Sequence, residues 1–170
     1  MEINELEDIF SDCDDIVRKE LVISYNHVSV SAYILYVDGL ADADMIQEHV
    51  MEPLGTRDIL GKDLLYELLH REIQTADMRE EASMDAAVEA VLSGDTLLVI
   101  HGYEDAFIIA SKKFPLRGIE ETEIEAVMRG PRDSFNEGIR TGTALVRRRI
   151  RDPRLKVVQG KFGTRTKTDY

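Results

Sequence analysis

The side chains best spaced for chemistry in this chain are arginines. On a helical reading Arg140, Arg147 and Arg151 share one stripe, seven and four residues apart. Arg148 points elsewhere. Arg149 lands close to an apolar stripe, where a charge must snorkel or meet a carboxylate. Three readings of the row stay open: a solvated helix face, salt bridges to the acidic first part of the chain, and a nucleic-acid footprint. Nucleic acid is the least expected partner, because the chain carries a net charge of −12 and no aromatic residue interleaves with the arginines.

Catalytic constellations are hard to find. His27, His49, His70 and His101 are scattered, with no pair at helical metal-ligand spacing beside a third donor. Ser29, Ser31 and Cys13 lack an arranged base. The stretch Gly160-Lys-Phe-Gly-Thr-Arg-Thr-Lys offers glycines, cations and hydroxyls to an anion, but it departs from nucleotide-loop spacing and reads as a flexible polar tail. No catalytic residue, metal ligand or cofactor is expected, and the chain reads as a non-enzyme.

The 170 residues suffice for one domain or two small subdomains, with 44 % hydrophobic and 32 % charged residues. A single cysteine excludes an internal disulfide and suits a reducing compartment. The longest apolar runs are strand-sized, the N-terminus lacks a signal-peptide core, and the chain reads as soluble. Charge is asymmetric: residues 1–110 hold 6 Lys/Arg against 25 Asp/Glu, a net −19, and residues 111–170 hold 15 against 8, a net +7. Attraction between the two parts within one fold is the plain explanation.

The elements that must position these groups can be read in order. Residues 5–20 read as an acidic helix. Val28–Val37 is rich in β-branched and aromatic residues and reads as a strand, turning at Asp38-Gly39. Asp42 caps a helix bearing Met45, Ile46, His49 and Val50, closed by Pro53, which makes half a βαβ unit. Residues 62–74 repeat leucines at helical spacing, and Thr75–Glu81 reads as a polar link. Ser83 caps a second helix that stops at Gly94. Thr96–His101 and Ala106–Ser111 flank a polar link and predict a β-hairpin.

Past Lys112-Lys113-Phe114-Pro115 a short helix is expected over Glu120–Met128, stopped at Gly130-Pro131. The longest helix is predicted from Phe135 to Arg151, opened by a capping box between Ser134 and Glu137 and ended at Asp152-Pro153. Phe135, Ile139, Gly142, Val146 and Ile150 would form its buried stripe, with the arginine row outward. Gly138 and Gly142 beside the stripe would admit a close backbone. Leu155–Gln159 reads as a possible strand. The fold class is α/β: a mixed sheet with flanking helices and a β-hairpin in residues 1–114, then a helical linker entering a second, truncated α/β subdomain in 115–170.

The run from Phe114 to Val157 also resembles the signature segment of spore germinant receptor A subunits, the GerA family. There an RGPR-like element precedes a helix of the form FxExxRxNxALxRRRI and a D-P-R-L turn. The matching positions are Arg129, Gly130, Pro131, Arg132, Phe135, Glu137, Arg140, Thr141, Ala144, Leu145, Arg147, Arg148, Arg149, Ile150 and Asp152 to Leu155. Gly142 stands where the pattern has Asn, and Gly138 where a polar residue is common. The segments around Leu35–Leu54 and Gly94–Ile109, and the closing GTRTKTDY, resemble further parts of the family, so the likeness covers about Ile23 to Tyr170.

That resemblance implies a fragment of a longer, membrane-embedded protein with two α/β subdomains ahead of its spans. It implies a complex with a transporter-like B subunit and a lipoprotein C subunit in the spore inner membrane, self-association, and a domain on the cytoplasmic, spore-core side. The expected role is assembly and signal coupling in germination, with Arg117, Arg129, Gly130, Pro131, Arg132, Glu137, Arg140, Arg147, Arg148, Arg149 and Arg151 as motif or interface candidates. The alternative is a small-ligand binding module of a related spore membrane protein associated with dipicolinic-acid release.

Overall fold

The computed structural model describes residues 1–61, 63–68, 73, 77–113, 138–164 and 168–169. Its centre is a ten-residue antiparallel ladder between β1 (Ile16–Tyr25) and β2 (Val28–Val37), running in register from Ile16 opposite Val37 to Tyr25 opposite Val28. Asn26 and His27 close the ladder with φ of 48° and 66°, the two positive values that a tight two-residue hairpin requires. The expected helix over residues 5–20 is therefore corrected. Only α1 (Ile3–Ile9) is helical. The run from Ile16 reads IVRKELVISY, and its β-branched residues earn more from pairing with β2 than from an isolated acidic helix.

The helical segment after β2 begins as expected, with the Asp42 carboxylate accepting the Met45 N–H at 3.3 Å. It runs on as α2 (Ala43–Ile46), a π turn (Gln47–Met51) and α3 (Glu52–Thr56), so Pro53 does not close it. The Glu52 N–H donates five residues back to the Gln47 carbonyl, and Pro53 falls in the first turn of α3, where a missing N–H is tolerated. The chain returns in β3 (Asp58–Ile59), parallel to β1. Both neighbours of β2 are antiparallel to it, which corrects the expected βαβ half-unit.

α4 (Leu64–Glu67) is followed by β4 (Met78–Glu81), which occupies part of the expected polar link. β4 is an edge strand of sequence MREE, and such strands carry charge on their open side without strong alternation. α5 (Met84–Leu92) is capped by Ser83 and stopped by Gly94 at φ +97°, as the sequence indicates. The hairpin of β5 (Thr96–Ile100) and β6 (Ala106–Ile109) completes a mixed sheet of order β3-β1-β2-β5-β6-β4.

Both faces of this sheet are covered, so β5 and β6 are apolar on every residue but Thr96. α1 and α5 pack over Leu35, Val37, Leu97, Val99 and Ile108. The α2–α4 side packs over Ile34, Tyr36, Leu98, Phe107 and Ile109. Beyond residue 137 come α6 (Ile139–Arg149) and a short hairpin of β7 (Lys161–Phe162) with β8 (Thr168–Asp169). The hairpin places paired backbone within the expected flexible tail. Leu155–Gln159, expected as a strand, pairs in no ladder.

Phe107 is fully buried on β6, between β5 and the edge strand β4. Phe107→Ala is expected to lower unfolding free energy by about 3–5 kcal/mol, measured by urea denaturation. An unchanged midpoint would mean the hairpin does not close the core.

Candidate functional site

Helix α6 is where the arginines meet the rest of the molecule, and its geometry departs from expectation. It starts after Gly138, which is extended (φ −84°, ψ 106°) and has no capping side chain, and it ends at Arg149 with Ile150 as C-cap. Gly138 thus lies outside the helix, as its N-cap. The inward residues are Gly142, Ala144, Leu145 and Arg147, while Ile139 and Ile150 are exposed. Of the expected apolar stripe Gly142 is buried and Val146 half-buried, but Ile139 and Ile150 are exposed, and Ala144, Leu145 and Arg147 make up the rest of the buried face.

That pair is Arg147 with Asp15, at 0 % and 1 % side-chain exposure. Arg147 Nε donates to Asp15 Oδ2 at 2.7 Å and Nη2 to Oδ1 at 2.9 Å, a two-pronged bond. Nη1 donates to the carbonyls of Asp152 at 3.2 Å and Leu155 at 3.0 Å. Burial pulls the guanidinium pKa down, but the Asp15 hydrogen bonds and charge, with Cys13 beside them, outweigh it and leave Arg147 above its ordinary value. The row was expected to look outward. Arg147 does the reverse.

The D-P-R-L turn is folded around the same guanidinium. The Asp152 carboxylate accepts the Arg154 backbone N–H at 2.9 Å and is gripped by Nε and Nη2 of the Arg154 side chain. Those Arg154 bonds hold Asp152 at about 2, well below the usual carboxylate range. Its contribution is thus present above the unfolded-state pKa and lost as pH falls through about 2. The following segment lies along the loop before β1. Asp14 N–H donates to the Val157 carbonyl at 2.7 Å, Gln159 N–H to Asp14 Oδ2 at 2.7 Å, and Lys156 Nζ to the Ile9 carbonyl at 2.9 Å.

At its other end α6 rests on the turn after β2. Arg140 Nε is 2.7 Å from Asp38 Oδ2, with Arg140 largely exposed. Gly39 has φ +81°, and a Cβ there would lie 3.1 Å from Ala144 Cβ and 3.3 Å from the Arg140 carbonyl. A close approach of two backbones is found at Gly39, where α6 meets the turn. Arg148, Arg149 and Arg151 are exposed. Arg117, Arg129, Gly130, Pro131, Arg132 and Glu137, with Ser134, Phe135 and the helix expected over Glu120–Met128, lie outside the described residues.

Two other polar arrangements escaped the sequence. A cleft of about 580 Å³ is lined by Asp42, Asp77, Arg79, Asp95, Ser111 and Lys112, with two methionines and an alanine. Lys112 pairs with the buried Asp95 at 3.0 Å and Lys113 with Asp42 at 2.9 Å. The Lys113 hydrogen bond holds Asp42 below its ordinary pKa. At the β1–β2 turn, Asp58 Oδ1 accepts the Ser24 hydroxyl at 2.8 Å and the His27 backbone N–H at 3.0 Å, and Oδ2 lies 2.5 Å from His27 Nδ1. Serine and imidazole both bind the carboxylate, so the imidazole is not set to activate the serine. Among the described residues no group of three His, Cys, Asp or Glu is placed to hold a metal ion, and no helix is long and apolar enough to cross a membrane.

The family model described as Bacillus/Clostridium GerA spore germination protein matches residues 4–170. The chain is 31 % identical over 157 residues to the uncharacterized membrane protein YfkQ of Bacillus subtilis (strain 168), covering 92 % of this chain and 30 % of that protein. It is 38 % identical over 138 residues to Stage V sporulation protein AF of the same organism, covering 80 % and 28 %. Spore germination protein KA, also of B. subtilis, is 28 % identical over 163 residues, covering 95 % and 30 %. The chain thus spans under a third of each of these relatives. The crystal structure of the N-terminal domain of the A subunit of the Bacillus megaterium spore germinant receptor GerK3 superposes with a TM-score of 0.72 at 25 % identity, covering 98 % of this chain and 60 % of that one.

Removing one member of the buried pair is expected to cost about 3–5 kcal/mol in Arg147→Met or Asp15→Leu, by urea denaturation, and the double variant less than the sum. Additive losses would show that the two groups do not act together.

Proposed function

Because this chain belongs to the GerA family of spore germination proteins, we propose that it is the N-terminal region of a germinant receptor A subunit, with a non-enzymatic role in assembly and signal coupling. Its parent would lie in the spore inner membrane with this region on the core side, beside a transporter-like B subunit, a lipoprotein C subunit and further A subunits. Residues 1–114 would be the first α/β subdomain, and 115–170 the passage into the second. Arg117, Arg129, Gly130, Pro131, Arg132 and Glu137 would face neighbouring subunits.

One observation supports coupling above all: Arg147 ties the sheet at Asp15 to the turn through which the chain continues. A buried two-pronged pair is a fixed joint, since either group left alone in the interior is strongly unfavourable. The Arg140–Asp38 pair is exposed, worth about 0–1 kcal/mol, and free to exchange partners. A rigid pivot with an exchangeable contact on the same helix can pass a rotation between the sheet and whatever follows.

The test is made in spores carrying the full-length parent with Arg140→Asp. Slowed nutrient response at normal receptor level is expected, restored by adding Asp38→Arg. An unchanged response, with normal assembly, removes the coupling reading for this helix.

A second reading, a small-ligand module of a related spore membrane protein associated with dipicolinic-acid release, draws on the cleft beside Asp95 and Lys112. Its size suits a small molecule and its polar groups converge. Calorimetric titration with amino acids, sugars and dipicolinate checks it. Saturable heat supports the module, and its absence across the set removes it.

A further inference from the structure

Three of the six large apolar side chains exposed among the described residues are Ile139, Ile150 and Val158. All three fall in residues 138–164, a stretch with eight Lys/Arg against one Asp, a net +7 in a chain of −12. Exposed aliphatic groups are ordinary when scattered, but here they are interleaved with cations. Arg151, Arg154, Lys156 and Val158 are exposed, with Arg154 held on Asp152 and Lys156 Nζ on the Ile9 carbonyl, while Leu155 and Val157 are half-buried where the segment meets Cys13 and Asp14. Ile150 is 48 % exposed and Val158 is 68 % exposed. The segment docks on the loop before β1 through its backbone, and both aliphatics stay exposed in the same stretch as these cations.

We propose that the 148–158 surface docks on an anionic lipid bilayer, cations meeting the headgroups and Ile150 and Val158 entering the interfacial layer. Basic residues around a few apolar ones are what an anionic membrane surface binds, at roughly 1 kcal/mol for each cation near it. Nucleic acid fits less well, because no aromatic residue occurs between Gly138 and Lys161 to stack on bases. The inference goes beyond the receptor reading, since a domain tethered to a membrane need not touch lipid.

The experiment floats the 170-residue chain with vesicles of phosphatidylcholine alone, and of phosphatidylcholine mixed equally with phosphatidylglycerol. Recovery with the anionic vesicles only, declining as salt rises, is expected. Arg151→Glu with Lys156→Glu should reduce binding about tenfold or more. Ile150→Ser with Val158→Ser should reduce it while leaving the thermal midpoint in place. No recovery with anionic vesicles at low salt overturns the proposal, as does equal recovery with both vesicles or wild-type binding by the charge variant. Any of these outcomes leaves the germination reading to its own test in spores.

Discussion

Among the described residues, helix α6 and the D-P-R-L turn are tied to the start of the central sheet by two ions taken out of water together. Desolvating a guanidinium and a carboxylate costs several kcal/mol each, and only near-ideal geometry with further hydrogen bonds offsets it. Arg147 meets that condition with two bonds to Asp15 and two to the carbonyls of the D-P-R-L turn. Asp15 lies just before β1, and its own carbonyl accepts the Asp38 N–H at 2.8 Å. The pair therefore touches the start of one central strand, the end of its partner, a helix and a turn at once.

The sheet makes that orientation possible by exposing one narrow landing place. β2 ends at Val37, and the chain turns through Asp38 and Gly39, where φ is +81° and an added Cβ would press on Ala144 and Arg140. α6 comes within van der Waals distance there, and Arg140 grips Asp38 above it. The helix is thus fixed at two points of unlike character. One is buried and directional; the other is solvated and weak.

This contrast gives the functional reading its physical content. The acidic first part and the basic last part of the chain are not joined by diffuse attraction alone. Opposite charges meet in specific pairs, Asp15 with Arg147 and Asp38 with Arg140. A segment that commits one arginine inward and presents others outward can link the sheet to a neighbouring surface without new structure.

Much of the fold was legible in the residues because local rules governed it. Asp42 and Ser83 cap helices, Gly94 ends one, β2 is β-branched and aromatic, and β5 and β6 flank a turn. The strand at Ile16–Tyr25 was misread because its charged residues look helical until β2 pairs with it, and β4 because an edge strand has little apolar alternation. The arginine triplet and the D-P-R-L turn were visible as a motif, but not which arginine would be buried. Arg147, Arg148 and Arg149 have the same local chemistry. The choice among them rests on a carboxylate 132 residues earlier in the chain, brought within hydrogen-bonding distance only after the sheet has formed. Sequence determined that this segment is a helix rich in guanidinium groups; the tertiary structure decided that Arg147 is its anchor, because burial of a charge depends on a distant partner.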